Sequence, residues 1–157
     1  MIEIRRKMGN KKIRRVAGVD YDESSVDFVG EKNAFLYFYN QRHGTNFKKN
    51  DINFYNMARP LGISKEQIEE EFDLFYHSPL LLRLKPLDFA VEGLKLLKRT
   101  HAPMLITSRP SAIKIPTLKN ISLNFPDIYE GIHFVNRKEK IHKYSELGIT
   151  LLIEDDI

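Results

Sequence analysis

Short apolar runs alternate with longer amphipathic stretches along this chain. Four of the runs are bounded by polar or turn residues, as buried parallel strands tend to be, and they cover residues 16–19, 104–107, 133–135 and 151–153. The stretches between them have helical periodicity. Strand–helix–strand alternation with short links predicts an α/β fold in which helices cover a central parallel sheet. We expect the first strand to lie between the second and the fourth.

Helix ends and helix faces are predicted in three of the stretches. Ser64 is followed three residues later by Gln67, a capping-box pattern that predicts a helix start. Gly148 follows a helical stretch and predicts its C-terminal end. The stretch at 85–100 ends in a basic turn, which suits the helix dipole, and it places three apolar side chains on one face: Phe89, Leu94 and Leu97.

The interval between the first two strands departs from this alternation. It contains nearly sixty residues, whereas one crossover helix needs far fewer. We therefore predict an inserted helical cap lobe at residues 26–84, with the α/β core formed by residues 1–25 and 85–157. An insertion at this point lies over the C-terminal edge of the sheet, where ligands bind in open α/β folds.

The aromatic residues of the lobe fall into two groups. Phe35, Phe38 and Tyr39 recur at helical spacing, which predicts that they form the core of the lobe. Tyr37 lies on another face of the same helix. Two roles stay open for Tyr37 and Arg59: the lobe offers them to a ligand, or they only hold the lobe together.

Polar side chains follow three of the predicted strands. Because the carboxyl ends of parallel strands meet at one edge of a sheet, we expect them to converge on one crevice: Asp20 and Asp22 after the first strand, Thr107, Ser108 and Arg109 at the second, and Glu154, Asp155 and Asp156 at the last. A helix start before the last strand adds an ammonium group, with three candidates: Lys138, Lys140 and Lys143. This mixture suits Mg²⁺ held together with a substrate phosphate. Paired acids can divide phosphoryl transfer, one attacking phosphorus and the other handling protons.

Composition limits the classes of protein that fit. The 157 residues are 42% hydrophobic and 29% charged, as in an ordinary globular protein. The absence of cysteine excludes disulfides, thiolate zinc sites and a cysteine nucleophile. No apolar stretch approaches the roughly 18 to 20 residues of a membrane span. The first ten residues lack the apolar centre of a signal peptide, which favours a cytoplasmic location.

The net charge of +4 is concentrated in a basic N-terminal arm, residues 1–15. The arm contains seven Lys or Arg and one acid, and the remainder of the chain has 18 basic and 20 acidic residues. We interpret the arm as a solvated terminus, or as a hairpin turning at Gly9 and Asn10. Neither reading gives weight to a nucleic-acid partner.

Four motifs in order resemble the haloacid dehalogenase superfamily of phosphohydrolases. The first is an apolar strand ending D-x-D-x-[TSV], here Asp20-Tyr21-Asp22-Glu23-Ser24. The second is the run "MLITS", the third is the lysine before the last strand, and the fourth is "LLIEDD". Within that superfamily the chain is similar to the 5′(3′)-deoxyribonucleotidase group and its nucleotidase-like relatives, through the lobe sequence, "LITSRP" and Thr117.

The resemblance implies a three-layer Rossmannoid fold with an inserted cap. It also implies Mg²⁺-dependent removal of phosphate from a small phosphomonoester such as a nucleotide, through an aspartyl-phosphate. In this scheme Asp20 is the nucleophile and a metal ligand. Asp22 protonates the leaving oxygen, later activates water, and coordinates Mg²⁺ through its backbone carbonyl. Thr107, with Ser108, binds the transferring phosphoryl group.

The same resemblance assigns the remaining charged residues. Lys140 is the preferred lysine for stabilising the charge of the phosphoryl group, because it lies at the start of its helix as the motif's lysine does. Asp155 is the preferred metal carboxylate of the last motif, with Glu154 and Asp156 as alternatives. Arg109 either clamps a phosphate or carboxylate or braces its own loop.

The chain stops at Ile157, soon after the fourth motif, whereas members of the superfamily usually continue with another helix or strand. This keeps a second hypothesis open, a catalytically weak protein of the same fold that binds a phosphate ligand or serves as an interaction module. A sheet flank without its usual cover also favours self-association, so a homodimer is a further expectation.

Overall fold

The centre of the fold is a four-stranded parallel sheet with the order β3-β2-β1-β4. The computed structural model describes residues 14–53 and 56–155. The strands are β1 (Arg15–Val19), β2 (His101–Thr107), β3 (Gly131–Phe134) and β4 (Ile149–Ile153). All three pairings are parallel. The prediction that the first strand lies between the second and the fourth is confirmed.

The strand register brings the ends of β1 and β4 level. Val19, the last residue of β1, pairs with Ile153 at the end of β4 and with Leu105 in β2. The backbone N–H of Asp20 then donates to the Ile153 carbonyl at 2.9 Å. Residues that follow these strands therefore emerge side by side at the C-terminal edge of the sheet.

Six α-helices flank the sheet or lie in the interval between β1 and β2 in the described part of the chain. They are α1 (Phe35–His43), α2 (Ala58–Leu61), α3 (Lys65–Tyr76), α4 (Ala90–Leu97), α5 (Lys114–Asn124) and α6 (Lys140–Glu146). Short 3₁₀ helices cover Lys49–Asp51, Pro79–Arg83, Ser111–Ile113 and Arg137–Glu139. The last three α-helices alternate with the strands, as the pattern predicted. The first three lie between β1 and β2, within the range that we predicted to be the cap lobe.

The chain leaves and rejoins the core through adjacent backbone segments. Val26 forms a parallel bridge with Asp22 and an antiparallel bridge with Pro86. The N–H of Asp27 donates to the Lys85 carbonyl at 2.9 Å. The interval that contains α1, α2 and α3 is therefore closed at its base by backbone hydrogen bonds.

Two of the predicted helix ends are confirmed. Gln67 N–H donates to Ser64 Oγ at 3.2 Å, and Ser64 N–H donates to Gln67 Oε1 at 2.8 Å, which completes the capping box of α3. Gly148 follows the end of α6 with a left-handed φ of 62°. A residue with a side chain would be strained in that conformation.

The prediction for Phe89 is wrong. Its side chain is 82% exposed, whereas Leu94 is buried. The helix begins only at Ala90, and Phe89 precedes it with a left-handed φ of 64°. The side chain therefore does not continue the apolar face of α4.

An aromatic cluster joins the lobe helices to the segment after β1. The Phe28 ring centroid lies 5.6 Å from that of Phe72 and 5.4 Å from that of Phe75. Phe35 and Tyr39 are buried in the same core, as predicted, and Phe38 packs against it partly buried. Aromatic pairs at these separations stabilise beyond the area that they bury.

The outer edge of β4 has no strand partner within residues 14–53 and 56–155. Leu151 and Leu152, which point to opposite faces of the sheet, are 40% and 41% exposed. Such an edge can pair with another strand, and the homodimer stays a prediction. None of the helices built by the described residues has the length and apolar character to cross a bilayer. Residues 1–13, most of the basic arm, lie outside the described residues.

Candidate active site

A cavity of about 530 Å³ opens at the C-terminal edge of the sheet, between the strand ends and α3. Its volume lies in the range of small-molecule sites. The catalytic, phosphate-binding and metal-binding residues preferred from the sequence all line it: Asp20, Asp22, Thr107, Ser108, Arg109, Lys140 and Asp155. The level ends of the parallel strands explain this convergence.

Lys140 connects two carboxylates at the base of the cavity. Its Nζ donates to Asp20 Oδ1 and to Glu154 Oε1, each at 2.8 Å. Lys138 is exposed, and Lys143 pairs with Glu146 at 2.5 Å. Of the three candidate lysines, Lys140 is therefore the one that the structure brings to the two acids.

The carboxyl group of Asp20 is almost completely withdrawn from water. Burial, partly opposed by Lys140 and reinforced by Asp22 and Glu154, raises the pKa of Asp20 from 3.8 to about 7. Burial by itself would lower the pKa of Lys140, but Asp20 and Glu154 outweigh it and raise that pKa overall. The nucleophile candidate therefore depends on a neighbouring cation to be ionised near neutral pH.

Hydrogen bonds fix the backbone of Asp20 on both sides. Its N–H is held by the Ile153 carbonyl, and its own carbonyl accepts from Ser25 Oγ at 2.8 Å. Ser25 is completely buried, and its hydroxyl also lies 2.9 Å from the Tyr129 hydroxyl. The carboxylate is thus presented from a rigid strand end.

Three acids at the ends of β1 and β4 form a group that fits a hard cation. Asp20, Glu154 and Asp155 each offer a carboxylate oxygen, and these atoms lie within 4.8 Å of one another. Glu154 Oε2 is buried and has no hydrogen-bond partner within the described residues. An all-oxygen set with an unsatisfied buried carboxylate oxygen matches the ligand chemistry of Mg²⁺. The third alternative of the last motif, Asp156, lies outside the described residues.

Asp22 is held by Arg109. Arg109 Nε donates to Asp22 Oδ2 at 3.0 Å, and Nη2 donates to Oδ1 at 2.5 Å. The remaining terminal nitrogen, Nη1, donates to Thr117 Oγ1 at 3.1 Å. The sequence suggested that Arg109 clamps a ligand or braces its loop, whereas the structure gives it Asp22 and Thr117 as partners.

Thr107 and Ser108 line the wall formed by the end of β2. Thr107 is buried, and its Oγ1 accepts from the N–H of Arg109 at 3.3 Å. Ser108 is exposed at the cavity surface. Both residues line the same cavity as Asp20.

The lobe contributes one face of α3, together with Phe28 and residues 56–58, rather than the residues expected from the sequence. Five α3 residues line the cavity: Lys65, Ile68, Glu69, Phe72 and Tyr76. Neither Tyr37 nor Arg59 is among the described residues that line it. The i, i+3, i+4, i+7 spacing along α3 was the sequence signal that these residues share one face of the helix. The spacing does not by itself distinguish a face that lines a cavity from a face that packs against the protein core.

Comparisons with known proteins agree with the architecture. No protein-family model and no curated protein matches the chain. Ten chains of solved structures match it. One is a hydrolase, a haloacid dehalogenase-like family protein from Streptococcus pneumoniae, with a TM-score of 0.58, 15% identity, and coverage of 88% of this chain and 73% of that chain. The chain therefore has the α/β fold of haloacid dehalogenase-like proteins.

Proposed function

We propose that this protein is a Mg²⁺-dependent phosphomonoester hydrolase that acts through an aspartyl-phosphate on Asp20. The observation that carries the proposal is the position of the Asp20 carboxylate, which is buried between the Lys140 ammonium and the acids of β4 at the floor of a ligand-sized cavity. The solved structure that shares the fold is named a hydrolase, which agrees with this reaction class.

In the first step, an oxygen of the Asp20 carboxylate attacks phosphorus. A new bond forms between that oxygen and phosphorus while the ester bond between phosphorus and the leaving oxygen breaks. The leaving oxygen takes a proton from Asp22. Lys140 sits beside Asp20 and offers positive charge to the transferring phosphoryl group.

In the second step, water attacks the phosphorus of the aspartyl-phosphate. Asp22 takes the proton from that water, the Asp20–phosphorus bond breaks, and inorganic phosphate leaves. Asp22 starts the cycle as the carboxylic acid and regains from the water the proton that it gave to the leaving oxygen, while Asp20 returns to the free carboxylate, so protons and bonds balance over the cycle. Thr107 and Ser108 offer hydroxyl groups to the phosphoryl oxygens.

Asp20, Asp155 and Glu154 are the side chains that would hold Mg²⁺. A bound Mg²⁺ supplies charge neutralisation, which allows the anionic substrate to approach the acids. The acids of this chain would otherwise repel a phosphate group, although Lys140 and Arg109 offset part of their charge.

The α3 face supports a substrate with an apolar leaving group. Phe72 and Tyr76 lie toward the Asp22 end of the cavity, where burial and Asp22 raise the pKa of Tyr76. Lys65 and Glu69 lie toward the other end of α3, and the twelve residues from Lys65 to Tyr76 place the two ends about 16 Å apart. A nucleoside monophosphate has this arrangement, with a flat apolar base beyond the phosphate, and we propose nucleotides as the leading substrates.

Phosphate release from a substrate panel tests the proposal. The panel contains 4-nitrophenyl phosphate, nucleoside 5′-monophosphates and hexose phosphates, each with MgCl₂ and with EDTA. We expect turnover only with Mg²⁺, a loss of at least about 100-fold in Asp155→Asn, and no loss in Asp88→Asn, whose side chain is exposed outside the cavity. Phosphate binding without turnover would instead favour the catalytically weak phosphate-binding module.

A further inference from the structure

We infer that Arg109 is a positioning residue that holds the acid–base group Asp22, and that it is not the ligand of the substrate phosphate. This inference rests on the proposed function, since it gives a role to Asp22 in proton transfer. It replaces the phosphate-clamp role that the sequence suggested for Arg109.

The contact between the two side chains fixes both oxygens of the Asp22 carboxylate. Arg109 donates from Nε to Oδ2 at 3.0 Å and from Nη2 to Oδ1 at 2.5 Å. Two parallel N–H···O bonds define the plane of the carboxylate as well as its distance. A lysine at the same position keeps the charge but cannot make this paired contact.

The guanidinium is itself immobilised from the far side. Nη1 donates to Thr117 Oγ1 on α5 at 3.1 Å, and the Arg109 Cζ lies 4.6 Å from the centroid of the Tyr21 ring. The Arg109 side chain is 1% exposed, and Thr117 is completely buried. Helix α5 therefore sets the position of Arg109, and Arg109 sets the position of Asp22.

Tyr21 also helps to hold the backbone near Asp22 in place, because it lies between Asp20 and Asp22 in the sequence. Its hydroxyl donates to Asn120 Oδ1 on α5, one turn after Thr117. Asn120 in turn donates to the carbonyl of Leu84 at 3.0 Å. A buried polar network thus runs from α5 to Tyr21 and, through Arg109, to Asp22. Lys140, not Arg109, contacts the nucleophile.

The positioning role predicts a loss that depends on the leaving group. Arg109→Lys should lower kcat for alkyl phosphates about 100-fold, because misplacement of a catalytic group costs on that order. The loss should be only a few-fold for the first step with 4-nitrophenyl phosphate, whose leaving group needs little protonation. The inhibition constant of inorganic phosphate should stay unchanged, since the variant leaves the phosphate site intact. Thr117→Val should give the same pattern with a smaller amplitude.

A double-mutant cycle completes the test. In the Asp22→Asn background, Arg109→Lys should cause little further loss, because the group that it positions is already absent. Arg42→Lys is the matched control, because Arg42 is exposed and pairs with the buried Glu71 outside the cavity. It should behave as the unmodified protein does. Far-UV circular dichroism and the Mg²⁺-induced shift in melting temperature check that each variant folds. If Arg109→Lys does not fold, the same kinetic comparison is made with Thr117→Val.

Two results would overturn the inference in distinguishable ways. A weaker inhibition by inorganic phosphate in Arg109→Lys, with equal losses on every substrate and additivity with Asp22→Asn, would identify Arg109 as a phosphate ligand. If the unmodified protein has no Mg²⁺-dependent turnover on any substrate, the proposed function fails, and the positioning role fails with it.

Discussion

Lys140 Nζ lies 2.8 Å from Oδ1 of Asp20, although 120 residues separate the two in sequence. The contact joins the first residue of α6 to the residue that follows β1, and the same ammonium also reaches Glu154. Both acids are nearly buried, with side chains 10% exposed. Lys140 therefore provides the positive charge that two desolvated carboxylates share at the base of the cavity.

Removal of Lys140 should destabilise the protein in a pH-dependent way. Lys140→Met leaves a buried carboxylate without its cation, which typically costs about 3–5 kcal/mol. The loss should be large at pH 8 and smaller at pH 5, where Asp20 is mostly protonated because its pKa is about 7. Urea unfolding at the two pH values measures it. Lys143→Met, which removes a surface pair with Glu146, is the control and should change stability little. An equal loss at both pH values would contradict the assigned role of the charge.

Asp20→Asn should stabilise the metal-free protein above neutral pH. Asp20 has a pKa of 3.8 when unfolded and about 7 when folded, so the folded state retains its proton more tightly and loses stability as the pH rises between these values. Asparagine does not ionise, so Asp20→Asn should have a free energy of unfolding at pH 8 that is higher than that of the unmodified protein by at most about 4 kcal/mol. Melting temperatures in EDTA should therefore favour Asp20→Asn at pH 8 and coincide with the unmodified protein near pH 4. A variant that is less stable at pH 8 would show that the Lys140 pair outweighs desolvation.

The outer end of the α3 face should control substrate preference. Glu69→Lys reverses a charge on the cavity wall, whereas Glu70→Lys makes the same change on an exposed residue outside it. We expect Glu69→Lys to shift kcat/KM for nucleoside monophosphates relative to 4-nitrophenyl phosphate by about tenfold, as a partly exposed charge contact is worth about 1 kcal/mol. Glu70→Lys should leave that ratio unchanged. Identical ratios in both variants would mean that the leaving group does not reach this end of α3.

The sheet and the convergence of the site residues were predictable from the sequence for one physical reason. Buried parallel strands can be recognised in a sequence as apolar runs, and the residues that follow them lie close together at the C-terminal edge of the sheet. That is why Asp20, Thr107 and Asp155 were expected on one cavity, and they line it. The position of Phe89 was not predictable, because the backbone turn before α4, and not hydrophobic periodicity, decides where that side chain points.

Contacts between distant side chains could not be predicted from local pattern. Arg109 and Asp22 are 87 residues apart, and no periodicity links them. Likewise, the choice of Lys140 over two neighbouring lysines depends on the docking of α6 against β4. Tyr37 does not line the cavity for a related reason, since helical periodicity only assigns residues to faces. The packing of the lobe decides which face borders the cavity, and in this structure it is a face of α3.

The most direct test of the proposed mechanism is a rapid acid quench of Asp22→Asn during one turnover of 4-nitrophenyl phosphate with Mg²⁺. Asp22→Asn keeps the nucleophile Asp20, and the 4-nitrophenolate leaving group of the substrate needs little protonation. The variant lacks the base that activates water, a function typically worth about 100- to 10,000-fold in rate. We expect a burst of 4-nitrophenolate close to the enzyme concentration, together with a phosphorylated protein that peptide mass spectrometry locates at Asp20. Asp20→Asn should give neither. Complete inactivity of Asp22→Asn with intact Mg²⁺ binding, or phosphate on a residue other than Asp20, would contradict the assignment of the two acids.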